Sequence, residues 1–193
     1  EKFKQRRLKT GAVVIERNDP EIILRGTGAD TVVEILPAPE EAPAQSIVGE
    51  FMLVANTAAA KWAAERGVPL IHRTQNVAVP PEYYGVWKEP HDIARVVKVL
   101  PQAVLSVTAR PHVGVGSQAY ATITSPLRRY CDLVNEAQIL AFLRKGEPAY
   151  AKPELGRLVS QLSARLDAVS QVQRFRPRYW KLLYLRQHGD KIW

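Results

Sequence analysis

Residues 124–129, Thr-Ser-Pro-Leu-Arg-Arg, combine residue types that could bind an anion. A serine followed by a proline is a common helix start, because serine caps the first turn and proline suits the first helical position. We therefore expect a helix from Pro126 to about Lys145, with Ser125 as N-cap and with Arg128 and Arg129 in its first turn. Two cations there oppose the helix dipole unless an anion occupies the helix end. A hydroxyl, backbone N–H groups and a guanidinium would then converge on a phosphodiester.

The residues around this segment leave other interpretations open. Arg128 could pair with Asp132, one turn further along, as a simple surface ion pair. Tyr120 and His112 flank the segment, and either could line a binding channel, although Tyr120 could equally belong to the core. Cys131 falls on the expected apolar face of the helix, and we interpret it as a packing residue.

The surrounding pattern predicts an α+β protein in which an antiparallel sheet packs with long helices. Short β-branched runs predict three antiparallel strands at 12–15, 22–24 and 31–36 and further strands at 68–71, 104–107 and 119–123. Helices are expected at 2–9, at about 44–66, at 92–99 and from 153 onward, the last kinked or broken at Pro177. Helical spacing predicts that the helix at 44–66 buries one stripe of residues. That stripe comprises Ile47, Phe51, Val54, Ala55, Ala58 and Trp62.

The charge of the chain is strongly positive. Its 193 residues carry a formal net charge of +8, which favours a polyanionic partner such as nucleic acid, although an ordinary basic protein is the alternative. Basic residues are concentrated from residue 151 onward, where nine Lys or Arg stand against three Asp or Glu. Arg174, Arg178 and Lys181 are expected on one helix face, interleaved with aromatic residues. This pattern suits a track for single-stranded nucleic acid, or simply a solvated basic face.

Composition also bounds the class of protein. The single cysteine excludes an internal disulfide and fits a reducing compartment. No run approaches the ~18 apolar residues that a membrane span needs. We therefore expect a cytoplasmic monomer that makes no contact with membranes. Because the chain begins with Glu1 rather than Met, we expect a further part of the protein to precede it.

Four stretches, in chain order, resemble the ribonuclease II and ribonuclease R family. The most specific is Thr-Ser-Pro-Leu-Arg-Arg-Tyr-x-Asp-Leu at 124–133, preceded by His-x-Gly and a tyrosine. Residues 47–56, Ile-Val-Gly-Glu-Phe-Met-Leu-Val-Ala-Asn, resemble a helix of that family, and 6–21 and 69–73 agree moderately. The resemblance covers nearly the whole chain. It identifies residues 1–193 as the C-terminal part of an RNB-type catalytic domain.

This resemblance implies a hydrolytic 3′→5′ exoribonuclease that acts on single-stranded RNA with a Mg²⁺-activated water and releases nucleoside 5′-monophosphates. It places the metal ligands in an aspartate cluster of the N-terminal half of the domain. The Asp and His residues of this chain lack ligand spacing, so we expect no metal site here. The chain alone is expected to be inactive and to need that N-terminal half as its partner. An RNA-binding barrel, if present, is expected beyond the C-terminus.

Two alternatives to an enzyme remain open. One is a non-catalytic RNA-binding protein that retains the RNB fold without its metal site. The other, weaker one is a helical interaction module that docks through its basic C-terminal segment and has no affinity for RNA.

The resemblance also implies residue roles. Arg128 is expected to contact the scissile phosphate and neutralise charge on the phosphoryl oxygens. Glu50 is expected to read the ribose 2′-OH, the alternative being a solvated carboxylate on the helix face. Arg129 is expected to be structural or to contact a backbone phosphate. The predicted RNA-binding set is completed by Ser125, Tyr120, Arg174 and Arg178. Three positions depart from the family pattern: Gln173 replaces a common glutamate, Ile15 lies where an aromatic often clamps the terminal base, and Glu136 replaces a histidine that follows the Asp-Leu pair.

Overall fold

The computed structural model describes residues 2–16, 19–39 and 42–189. Within them, helices alternate with short strands, and the predicted α+β class is confirmed. The helices are α1 (Lys2–Lys9), α2 (Pro43–Glu65), α3 (Pro90–Val99), α4 (Tyr130–Lys145) and α5 (Lys152–Gln187). The strands are β1 (Val13–Ile15), β2 (Glu21–Arg25), β3 (Val32–Leu36), β4 (His72–Thr74), β5 (Gly85–Trp87) and β6 (Val104–Ser106).

The chain divides into two compact units. Unit 1 comprises Glu1–Glu16 and Ala42–Ser163, and unit 2 comprises Arg17–Glu41 and Ala164–Trp193. None of the helices in the described ranges has the length and apolarity that crossing a membrane requires.

The strands of the described ranges form three two-stranded sheets. β4 pairs with β6 and β2 with β3, both antiparallel, whereas β1 pairs with β5 in parallel. Of the antiparallel sheet expected for the first three strands, the pairing of β2 with β3 is confirmed, whereas the place of β1 beside them is wrong. Val13 of β1 is buried in a cluster with Val79 and Val96, so burial in the core of unit 1 selects a partner far along the chain.

Helix α2 matches the predicted length, but its buried face differs from the prediction. The buried residues are Asn56, Ala59, Ala60 and Ala63. In contrast, Ile47 and Phe51 of the predicted stripe are more than half exposed. Small alanines allow residues 119–121 to approach the helix closely, and Ala60, Ala63 and Ala121 share one apolar cluster. The face of α2 that carries small alanines is thus buried, and the face that carries the larger apolar side chains is not.

Helix α5 is longer than expected. It continues through Pro177 instead of ending there, although proline has no N–H to donate to the carbonyl one turn earlier. At its start, Leu155 is fully buried with Ile71 and Val134, which packs the beginning of α5 against α4.

Unit 2 combines the β2–β3 hairpin with the remainder of α5. Gln187, in the last turn of α5, donates its side-chain amide to the Thr31 carbonyl at 2.7 Å and accepts the Val33 N–H at 3.0 Å. In the hairpin turn, Gly26 has φ +82°, and a Cβ there would lie 2.8 Å from the Asp30 carbonyl oxygen. The turn therefore requires glycine at this position.

Candidate functional site

Residues 119–123 of unit 1 were expected to form a strand, but the structure has no strand there, although the Tyr120 carbonyl accepts the Arg73 N–H of β4 at 2.9 Å. Asn56 of α2 supports this segment instead. Its Oδ1 accepts the Ile123 N–H at 2.8 Å, and its Nδ2 donates to the Tyr120 hydroxyl at 3.0 Å. Asn56 is only 1% exposed, so these bonds satisfy polar groups that water does not reach. Tyr120 is itself buried, and this hydrogen bond favours a packing role for its ring.

Asn135 of α4 holds the same segment from the other side. Its Nδ2 donates to the Thr122 carbonyl at 3.0 Å and to the Ile71 carbonyl at 2.9 Å. Its Oδ1 accepts the Ile71 N–H at 2.7 Å. Besides the single backbone bond to β4, two buried asparagines thus satisfy the polar groups of this segment, which explains why its β-branched pattern mispredicted a strand.

The segment leads into the arginine turn, residues 125–129. The backbone N–H groups of Arg128 and Arg129 both donate to the Ser125 carbonyl, at 3.3 and 3.0 Å. Arg129 is extended (φ −122°, ψ 108°) and serves as N-cap of α4, which begins at Tyr130. The prediction of a helix from Pro126 capped by Ser125 is therefore wrong. Arg128 lies in a turn before the helix and not in its first turn.

Asp132 anchors the base of this turn. Its carboxylate is fully buried, and its Oδ2 accepts the Ser125 N–H at 2.9 Å. The same oxygen accepts Nε and Nη2 of Arg129 at 3.0 and 2.7 Å. A buried carboxylate needs such donors, and its place in the first turn of α4 also suits the helix dipole. The alternative that Arg128 pairs with Asp132 is wrong, because Arg129 is the partner.

Arg128, in contrast, is exposed. Its Nη2 lies 3.5 Å from the Ser125 hydroxyl, at the limit of a hydrogen bond, and no carboxylate of the described residues pairs with it. Its neighbour Leu127 is also fully exposed. The turn therefore presents the exposed Arg128 guanidinium next to the partly buried Ser125 hydroxyl. These groups can bind an oxyanion, since a guanidinium offers several N–H donors in one plane.

Glu50 lies on α2, where its carboxylate forms a two-point ion pair with Nε and Nη2 of Arg7 on α1. Both side chains are 16% exposed. Arg7 Nη1 also donates to the Val115 carbonyl at 3.3 Å. The interpretation of Glu50 as a solvated carboxylate is therefore wrong. The structure leaves its predicted contact with the ribose untested.

Two histidines of unit 1 lie in low-polarity surroundings. Burial, together with a smaller effect of the nearby charge of Lys152, lowers the pKa of His72 to about 4. Burial likewise lowers the pKa of His112 to about 4, with Arg73 contributing, and the His112 ring packs edge-on against Tyr120. Both histidines are therefore neutral at pH 7 and supply no charge to a phosphate.

The described residues do not fit a magnesium site. Among them, no group of three or more His, Cys, Asp or Glu is placed to hold a metal ion. The carboxylate next to the arginine turn, Asp132, binds three donors through Oδ2, and its Oδ1 is buried without a hydrogen-bond partner and out of reach of solvent.

The remaining predicted contacts, Arg174 and Arg178, belong to unit 2. Both are exposed on α5, and Arg174 Nε donates to the Ser170 carbonyl at 3.2 Å. The uninterrupted helix confirms that Lys181 shares their face, and we call these three residues the basic face. Phe175 and Tyr179 beside them are also exposed.

Sequence reasoning missed the supporting roles of Asn56, Asn135 and Asp132. One signal was available: Asn56 is a polar residue in the apolar part of a long helix, where burial requires hydrogen-bond partners. The partners of Asn56 at Tyr120 and Ile123, and the partner of Asn135 at Ile71, lie 64 to 67 positions away, and no local pattern identifies them.

Comparison with known proteins identifies one family. The sequence model of the family described as RNB domain matches residues 1–145. An uncharacterized ribonuclease of Synechocystis sp. is 29% identical over 193 residues, covering 98% of this chain and 28% of the relative. The mitochondrial exoribonuclease II of Saccharomyces cerevisiae is 28% identical over 163 residues, covering 77% of this chain and 17% of the relative. This chain thus spans less than a third of the length of these relatives.

Solved structures agree in fold. An active-site mutant of the Dss1 exoribonuclease from Candida glabrata superposes with a TM-score of 0.83 at 27% identity, over 97% of this chain and 25% of that chain. Mycoplasma genitalium RNase R in complex with ribose-methylated single-stranded RNA superposes with a TM-score of 0.68 at 17% identity, over 96% of this chain and 35% of that chain. The second likeness concerns the fold alone.

Proposed function

We propose, since this chain belongs to the RNB domain family, that it is the C-terminal part of the catalytic domain of a 3′→5′ exoribonuclease. The proposed enzyme hydrolyses single-stranded RNA and releases nucleoside 5′-monophosphates. The observation that carries the proposal is the arginine turn. It exposes Arg128 beside the Ser125 hydroxyl while Asp132 neutralises the adjacent Arg129. The exoribonuclease names of the relatives support the reaction class.

In this proposal Arg128 contacts the scissile phosphate. Hydrolysis of a phosphodiester places additional negative charge on the phosphoryl oxygens in the transition state, and a guanidinium can donate two parallel N–H bonds to them. Arg128 suits this role because no carboxylate of the described chain competes for it. Arg129 does not suit it, since its guanidinium already binds a buried carboxylate.

We propose that the reaction depends on Mg²⁺ and that its ligands lie in an N-terminal half of the domain, which this chain does not include. When bound, the ion would activate the attacking water. The described residues themselves do not fit such a site. The N-terminal half is then a required partner, and this chain by itself is expected to be inactive.

The other predicted contacts extend the proposal along the RNA. Glu50 is proposed to read a ribose 2′-OH, with Arg7 orienting its carboxylate. Arg174 and Arg178 are proposed to bind backbone phosphates, as their exposure on one face of α5 allows. A monomeric state and a cytoplasmic location stay predictions.

The test uses the protein that contains this chain together with its N-terminal half. Single-stranded RNA labelled at the 5′ or at the 3′ end is incubated with Mg²⁺ or with a chelator, in parallel with DNA of the same sequence. We expect the 3′ label to appear at once in a mononucleotide while the 5′-labelled RNA shortens stepwise. We expect no cleavage with the chelator and little cleavage of DNA.

Other outcomes would contradict the proposal in distinct ways. Internal fragments as first products would indicate an endonuclease. RNA binding without any degradation would favour the non-catalytic RNA-binding protein. No RNA affinity at any salt concentration would favour the interaction module.

A further inference from the structure

The base and the tip of the arginine turn differ in how firmly they are held. At the base, the Ser125 N–H and the Arg129 side chain both bind Oδ2 of Asp132. Arg129 Nη2 also donates to the Thr124 hydroxyl at 3.2 Å. At the tip, Leu127 and Arg128 are exposed, and the one hydrogen bond of the Arg128 side chain to the described residues is the long contact with Ser125. The backbone of Arg128 is therefore fixed on both sides while its guanidinium stays accessible.

We infer that Asp132 is a positioning residue for Arg128 and that it acts through Arg129 and the Ser125 N–H. Oδ2 of this fully buried carboxylate accepts hydrogen bonds from both ends of the turn, from Ser125 at its start and from Arg129 at its end. This inference rests on the proposed function of Arg128. Within it, Arg129 binds no RNA, and its charge compensates the buried carboxylate.

Positioning matters here because a charged donor stabilises a transition state best when it is already in place. An arginine on a loose turn would have to be ordered during the reaction. A misplacement of about 1 Å can cost roughly 10²-fold in rate. Because Asp132 binds the base of the turn, loss of its carboxylate should displace the Arg128 side chain while leaving that residue in the chain.

The experiment is a double-mutant cycle in the protein that contains this chain and its N-terminal half. Asp132→Asn is made in the unaltered background and in the Arg128→Ala background, and degradation of saturating single-stranded RNA is followed in a single turnover. We expect Asp132→Asn alone to lower the rate about tenfold, with unchanged RNA affinity. In the Arg128→Ala background we expect no further loss, because the residue to be positioned is gone.

Two variants serve as controls. Glu136→Gln removes the same charge from the same helix, and the Glu136 side chain has no hydrogen bond or ion pair within the described residues, so the rate should stay unchanged. Arg129→Lys keeps the charge but loses the planar donor fork, so it should lower the rate with the same dependence on Arg128. It replaces Asp132→Asn in the cycle if that variant fails to fold.

An equal loss in both backgrounds would overturn the inference, because Asp132 would then act independently of Arg128. Amide hydrogen exchange gives a second readout that needs no activity. Asp132→Asn should accelerate exchange at Ser125, Arg128 and Arg129, while the interior of α4 stays protected. Unchanged exchange in the turn would also overturn the inference. If the unaltered protein degrades no RNA, the proposed function fails, and this exchange experiment alone decides whether Asp132 positions the turn.

Discussion

Two arginine-bearing regions of this protein contrast in how they are supported. In the arginine turn of unit 1, a fully buried carboxylate binds the base, and the segment before it is supported by two buried asparagines. On the basic face of unit 2, Arg174 and Arg178 extend from an exposed helix, and the contact of Arg174 is with its own helix backbone.

This difference separates two tasks that a cation can perform on a polyanion. A solvated arginine attracts phosphates before and during reaction alike, so it contributes mainly to binding. An arginine fixed at its backbone can instead be aimed at charge that develops only in the transition state. The same residue type is therefore expected to affect different kinetic constants in the two regions.

The largest effect is expected for Arg128→Ala in the protein with its N-terminal half. The single-turnover rate at saturating RNA should fall on the order of 10²-fold, about 3 kcal/mol, as for a removed transition-state donor. RNA affinity should change little. Arg128→Lys should not restore the rate, because lysine lacks the planar fork. Arg144→Ala, at the exposed end of α4, is the matched control. Near-normal turnover of Arg128→Ala would remove the functional distinction between the two regions.

The buried interior of unit 1 should also make stability depend on pH through His72, which is 4% exposed. Its pKa is about 4 when folded and roughly 6.5 when unfolded, so the unfolded state binds more protons between these values. Stability is thus fully present above pH 6.5 and falls as the pH drops toward 4, by at most about 3 kcal/mol. His112 acts in the same direction.

Urea unfolding at several pH values between 7 and 4 measures how the free energy of unfolding changes with pH. His72→Gln should make the curve flatter, whereas His91→Gln, at a side chain that is 75% exposed, serves as the control. An identical slope in the His72→Gln protein would show that this histidine is not buried as a neutral group.

Glu50 is intermediate between the two regions, because it is paired but remains near the surface. Glu50→Ala should reduce the preference for RNA over DNA roughly tenfold, because one hydrogen bond to a 2′-OH is lost. RNA affinity itself should fall by less than this. Matched RNA and DNA oligomers give the ratio. Glu65→Ala, at the exposed end of the same helix, is the control. An unchanged ratio would assign Glu50 to its ion pair with Arg7 alone.

The smallest effects are expected on the basic face. Arg174→Ala and Arg178→Ala should each weaken RNA binding a few-fold and reduce the slope of log affinity against log salt by about 0.7. Turnover at saturating RNA should stay unchanged. Arg165→Ala provides the control, since Arg165 is exposed on the opposite side of the same helix from Arg174. If the RNA affinity of the unaltered protein does not change with salt concentration, the electrostatic basis of this prediction is contradicted.

Much of the helical structure was predictable because it depends on nearby residues. Periodicity and flanking Gly or Pro predicted α2 at 44–66 and α3 at 92–99, and the structure has them at Pro43–Glu65 and Pro90–Val99. The strand expected at 68–71 lies instead at His72–Thr74. The start of α4 was mispredicted although Ser-Pro is a good local signal for a helix start. The reason is that the buried Asp132 side chain accepts the Ser125 N–H and so stabilises a turn before the helix.

The sequence by itself determined the α+β class, the long helices and the motif around Arg128, since residue type, spacing and charge are all local properties. Only the tertiary structure decided that Arg129 rather than Arg128 binds Asp132, that Glu50 pairs with Arg7, and which face of α2 is buried. The physical reason is that a buried polar group must find a partner wherever the packed chain provides one. Because those partners are set by burial in three dimensions, spacing along the chain could not identify them.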